Sequence, residues 1–220
     1  MPRIVIVLTS AATFIVVANF LRNRFAARRG VHNSHSFNAR SPSRDRAFLV
    51  RLFDRLFADR PAGAPPAVLC DIGGAGQITP ASDPHGRLGA VIEVNDPACV
   101  PGAISEAAFH ALSRADLDVV TAFGVGMYLD EGQLARYFAS ARARLRPDGW
   151  LVIADPEYGS GVARSLWSMA TSWLLATRID YKPLDAVARI AGRCGFELAH
   201  RQTYAEDWYV AVFRPVAQEP

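Results

Sequence analysis

Between Leu117 and Asp155 the spacing of apolar residues changes rhythm twice. Leu117–Phe123 (LDVVTAF) is a continuous β-branched run, the pattern of a strand covered on both faces. Gly124-Val-Gly126 breaks it. From about Asp130 to Arg146 the apolar positions become Leu134, Tyr137, Phe138, Ala141 and Leu145, a helical stripe, while Arg136, Arg142 and Arg144 occupy the other side. Asp130 and Glu131 suit the positive end of that helix dipole, Arg144 and Arg146 the negative end, and Pro147 with Gly149 stops it. A second apolar strand, Trp150–Ala154, then reaches Asp155-Pro156. This is a βαβ unit of a parallel sheet. Ligands of open α/β sheets bind beyond the carboxyl ends of the strands, so the residues just after Phe123 and Ala154 are where chemistry is expected.

An earlier strand, Ala67–Ile72 (AVLCDI), ends on an acid and a glycine turn, Asp71-Ile-Gly73-Gly74-Ala75-Gly76. Glycines there let backbone N–H groups approach a ligand, and the acid accepts hydrogen bonds. The next strand, Leu88–Val94, finishes among Glu93, Asn95 and Asp96. Pro80, Pro84 and Gly86 lie between the two, and an interior proline costs about 3 kcal/mol, which excludes a full helix there. The segment 97–116 is too short for a helix, a strand and their connections, so the sheet is expected to be shortened at this edge.

Taken in order, VLCDIGGAGQ, VIEVND, DLDVVTAFGVGMYLD and LRPDGWLVIADP resemble the signature blocks of class I S-adenosylmethionine-dependent methyltransferases. The likeness covers roughly Pro66 to Pro215 and includes GRCGFELAHRQTYAEDWYVAVFRP as a closing helix and hairpin. It implies a doubly wound, Rossmann-like α/β sheet with S-adenosylmethionine as cofactor. Asp71, Gly73, Gly74 and Gly76 would cradle the methionine part of that cofactor. An acid at the end of the second strand would bind the ribose, with Glu93, Asn95 and Asp96 on offer and Asn95 nearest the expected position. Phe123, Gly124 and Tyr128 would face the methyl group, Tyr128 as a substrate-binding or acid/base residue or simply as a packing aromatic. Two departures stand out: Ala75 and Gln77 replace expected glycines. They open a second reading, a non-catalytic accessory subunit of a larger membrane complex with the same fold. A dinucleotide fingerprint fits less well, because Thr79 stands where its last glycine belongs.

The uncharged run Ile4–Leu21, at 1.5 Å rise per residue, would span about 27 Å as a helix, close to a bilayer's hydrocarbon core. Arg22, Arg24, Arg28 and Arg29 follow it, and the positive-inside rule places the remainder on the cytoplasmic side. The chain thus divides into an anchor with its basic flank (1–29), a polar linker (30–43) and a methyltransferase-like domain (44–220). A helix capped by Ser43 is expected from Arg44 to about Asp59, with Phe48, Leu49, Leu52, Phe53, Leu56 and Phe57 against the sheet or the membrane interface.

Half of the residues are apolar, 20% are charged and the formal net charge is +3. The arginines gather beside the anchor, so the basic balance reads as membrane orientation rather than nucleic-acid binding. Cys70, Cys99 and Cys194 are scattered, as are the histidines, and suggest neither a disulfide framework nor a metal site. Val162–Thr177 (VARSLWSMATSWLLAT) is apolar on more than one helical face, which means burial or a partner. In the family that the chain resembles, the segment after the strand matched by Trp150–Ala154 covers the substrate, which implies a hydrophobic small-molecule substrate, with a membrane-protein partner or the membrane surface as the other uses. Asp155 and Glu157, just before it, could hold a polar substrate group or serve as a cap.

Overall fold

A computed structural model describes residue 17 and residues 41–98, 100–113, 116–158, 160–175, 178–205 and 207–217. The apolar run Ile4–Leu21, Val17 apart, and its basic flank lie outside the described residues. Among the described residues no helix is long and apolar enough to cross a membrane.

The strands are β1 (Ala67–Ile72), β2 (Leu88–Val94), β3 (Leu117–Phe123), β4 (Leu145–Pro156), β5 (Phe196–Tyr204) and β6 (Trp208–Pro215). They form one sheet in the order β2-β1-β3-β4-β6-β5. The pairs β1–β2, β1–β3 and β3–β4 are parallel, whereas β6 runs antiparallel to both β4 and β5. The helices are α1 (Arg46–Leu56), α2 (Glu106–Ala111), α3 (Glu131–Arg144), α4 (Gly161–Leu175) and α5 (Leu184–Arg193).

Strand alternation sends two sets of side chains to opposite faces. Leu69, Val119, Val152, Val210 and Val212 meet Phe48, Leu52 and Phe53 of α1 on one face. Cys70, Val120, Leu151, Ile153, Ala211 and Phe213 meet Phe109 of α2, Phe138 and Ala141 of α3, and Val187 and Ile190 of α5 on the other. The expected α3 stripe is buried at Leu134, Tyr137, Phe138 and Ala141, and Asp130 caps the helix by accepting from Gln133 N, while Gln133 returns a bond to Asp130 N. Leu145 is already strand.

Two local expectations shift. Asp45, not Ser43, caps α1, its Oδ1 accepting from Phe48 N at 3.0 Å; Ser41 instead opens a single 3-10 turn, Pro42–Arg44. The proline-rich stretch after the glycine loop contains a 3-10 turn, Pro80–Ser82, and no α-helix, so α1 is the α-helix packed on its face of the sheet. The shortened edge is as expected: where a further strand would flank β2 there is an isolated parallel bridge, Val94 to Ile104.

Candidate functional site

Strand order reverses between β1 and β3: the chain moves outward from β1 to β2 and returns on the other side of β1. A crevice opens at the carboxyl ends of such a pair. Its walls are the segments 73–77 after β1 and 124–128 after β3. They touch, because a Cβ added to Gly73 would run into the Val125 side chain. Gly73 also has φ +72°, in the left-handed region.

Asp71 sits beneath the first wall. Its Oδ1 accepts the Thr121 hydroxyl at 2.7 Å, and its Oδ2 abuts Gly74 so closely that a Cβ at Gly74 would collide with it. Burial pushes this carboxyl up to about 7; the Thr121 bond pulls it down, and the nearby Glu93 charge adds to the rise. Asn95 spends its side-chain amide on the Gly74 carbonyl at 2.6 Å, tying the end of β2 to the loop. Gln77 folds back so that its Oε1 accepts from Ala75 N at 3.1 Å. Asp96 turns its Oδ1 onto Ala98 N. Gly76, at φ +76°, is the open point of the loop: an added Cβ there would have the Glu93 carboxylate, at 3.8 Å, as its near neighbour. Among the three residues offered at the end of β2, Glu93 therefore faces the loop, while Asn95 acts as its brace.

The second wall differs. Phe123 is buried on the α1 face, edge-on to Phe48 at 6.5 Å, and so serves packing. Gly124 has φ +72° and donates its N–H to Ala154 O at 2.7 Å. Tyr128 closes the 3-10 turn Gly126–Tyr128. Burial, then the neighbouring Tyr181 and Asp155, hold its phenol well above the ordinary value, which suits a hydrogen-bond donor and not a base.

Behind this turn lies a cluster that sequence reasoning missed apart from Asp155. Asp155, at the end of β4, is 2% exposed, and burial lifts its carboxyl to about 7 against the pull of Lys182, the Met127 and Gly126 N–H groups and Tyr209. Its Oδ2 fills the space a Gly126 side chain would need. Tyr209 stands opposite Asp155 across the β4–β6 pair, near enough to couple electrically, yet neither Tyr209 Oη nor Asp155 Oδ1 has a partner in hydrogen-bonding geometry. Buried Lys182 donates to Gly126 O at 3.1 Å and to Leu129 O, and pairs with Asp180 at 3.1 Å. The partners are far apart in sequence, so no local pattern announces them. Glu157, on the rim, pairs loosely with Arg164 at 3.8 Å.

Residues 42–201 match the family described as "Methyltransferase domain". The chain belongs to that family. Its fold is shared with mitomycin 7-O-methyltransferase MmcR (15% identity, TM-score 0.53, 73% of this chain and 52% of that one). The same holds for LepI solved with SAM (14% identity, TM-score 0.55, 74% and 46%). Magnesium protoporphyrin IX methyltransferase from Synechocystis PCC 6803, solved with bound SAH, is a third (13% identity, TM-score 0.53, 77% and 83%). The chain spans about half the length of the first two. No curated protein matches it in sequence.

Proposed function

We propose that this methyltransferase-family chain is a membrane-anchored, S-adenosylmethionine-dependent methyltransferase that acts on a hydrophobic small molecule from the cytoplasmic side. The carrying observation is the glycine loop at the β1/β3 switch point, where Gly76 is open, Glu93 faces it and Gly73 and Gly74 cannot bear side chains without a collision. Gln77 is folded onto the loop's own backbone, where its side-chain oxygen accepts from Ala75 N. Two structural neighbours were solved with SAM or SAH, which agrees with the same ligand here.

In this reading the backbone of Gly73, Gly74 and Gly76 lies against the methionine part and Glu93 accepts from the ribose hydroxyls. Asp71 and Asn95 hold the loop in shape from below. Gly124 and Tyr128 border the reacting end. S-adenosylmethionine, when bound, supplies an electrophilic methyl group. The chain's contribution is to align an acceptor in line with it and to keep water out, a matter of orientation that needs no dedicated base. Tyr128 donates a hydrogen bond to the acceptor, its raised phenol remaining protonated at neutral pH. The anchor Ile4–Leu21 and its basic flank support the membrane assignment, and with it an acceptor that partitions into lipid.

Calorimetric titration of the intact chain with S-adenosylmethionine should give micromolar binding. Glu93→Gln should weaken it about ten-fold, the scale of one charge-assisted hydrogen bond. Wild-type protein that releases no heat with the cofactor would remove the enzyme reading.

A further inference from the structure

Helix α4 is turned inside out. Three of its polar residues face the body: Thr171 is 4% exposed, Ser172 accepts from Ile179 N at 2.8 Å, and Ser168 accepts from Tyr181 N at 3.3 Å. Its apolar residues face outward. Val162, Leu166, Met169 and Trp173, at i, i+4, i+7 and i+11, form one stripe with exposures of 76, 55, 64 and 64%. Trp167 stands beside it at 49%. Five of the eight large apolar side chains exposed among the described residues lie on this helix, so the exposure is a patch and not scatter.

Three observations say what covers it. The acids that flank the helix, Glu157 and Asp180, are paired with Arg164 and Lys182, whereas Arg178, just beyond the helix, is exposed. Tryptophans beside aliphatic residues suit the headgroup boundary of a bilayer, and an exposed arginine at the end of the helix favours an anionic one. The third observation is position. Helix α4 leaves the carboxyl end of β4, and Asp180 N bonds Met127 O of the crevice wall. The described chain starts at that same end of the sheet, because Asp45 accepts from Tyr204, which pairs with Trp208 at the top of the β5–β6 hairpin. Exposed Arg44 and Arg46 lie beside it. From Arg29 to Ser41 the linker reaches at most about 40 Å, so an anchored chain keeps this end of the domain close to the lipid.

We propose that α4 is a membrane-docking helix, its Val162–Leu166–Met169–Trp173 stripe seated in the interface of an anionic bilayer, so that the crevice opens toward the lipid. The proposal rests on the anchored reading of Ile4–Leu21. It gives a lipid-soluble acceptor a route into the crevice without crossing water.

All four tryptophans lie in the domain, and two of them are on α4; Trp208 is buried and Trp150 donates to Leu56 O at the opposite end of the sheet. The intact chain is therefore reconstituted with phosphatidylcholine/phosphatidylglycerol vesicles, with or without brominated acyl chains. Expected is quenching of tryptophan emission by the brominated lipid, and its loss in Trp167→Phe/Trp173→Phe. Leu166→Asp/Met169→Asp should also abolish quenching while the chain still floats with the vesicles and keeps its circular dichroism. A wild-type chain that floats but is not quenched overturns α4 docking and leaves the anchor intact. A chain that doubles its mass with concentration and is not quenched shows a second copy on this face instead. A chain that fails to float overturns the anchored reading and the docking with it.

Discussion

The two sides of the sheet are held together differently. The β3–β6 side is packed: every residue of β3 is buried, and α3 and α5 cover it with periodic apolar stripes. The β1–β2 side is stitched. Residues of β2 are largely half-exposed, no α-helix follows the glycine loop, and side-chain bonds take over. Asp83 binds Arg87 through the backbone N–H, Nε and Nη2, and Arg87 Nη2 also reaches Asp54 of α1 at 2.8 Å. Asn95 holds Gly74, and Thr121 holds Asp71. Packing gives a rigid platform; stitching shapes a loop whose backbone stays open at Gly76.

Each side also carries a buried acid whose carboxyl is raised by burial. Asp71 and Asp155 both rise from 3.8 to about 7 on burial. Between those values these two groups bind more protons in the folded chain than in the unfolded one, so their contribution to stability is full below about pH 4 and falls as pH rises to about 7, by up to about 4 kcal/mol per carboxyl. Denaturant melts across that range should show the decline. Asp71→Asn, which can still accept from Thr121, and Asp155→Asn should each remove one share of it. An unchanged slope in both variants would mean that neither carboxyl is desolvated as the fold indicates.

The packed side is sharpened by Phe138→Ala. Phe138 is 1% exposed between Phe196 and Phe213, and its truncation should cost about 3–5 kcal/mol in a denaturant melt. Asp83→Ala tests the stitched side. Burial works to raise the Asp83 carboxyl, but the Arg87 bonds outweigh it and hold it below the ordinary value. The variant strands the Arg87 donors and should cost about 2–3 kcal/mol. A loss near zero would show that the turn at 83–87 is dispensable to β2.

This division also explains what the sequence could tell. Leu134, Tyr137, Phe138 and Ala141 announce α3 through spacing, and Asp130 marks its start. The prolines at 80 and 84 correctly exclude a helix, and the short segment before Leu117 correctly costs the sheet a strand. The stitching is silent in sequence. Lys182 binds carbonyls of Gly126 and Leu129, and Arg60 joins Asp118 at 2.8 Å while Asp118 also accepts from Val68 N. Such pairs depend on the finished fold and leave no periodic trace. For the site, Asp71 and the glycines were legible as a turn after a strand; that Glu93 and not Asn95 faces Gly76 depends on side-chain direction. For α4, composition showed an apolar helix, but only its bonds to residues 179–181 reveal which face is out.

Strand β6 descends from the crevice end and delivers the chain to the far pole, where Val216 N bonds Gly195 O and Arg142 holds Val216 O at 2.9 Å. A reporter or affinity handle fused beyond that point would therefore start from the distal pole, away from the glycine loop. Surface immobilisation through such a handle would present the carboxyl ends of the parallel strands outward, ready for lipid or ligand delivered from solution.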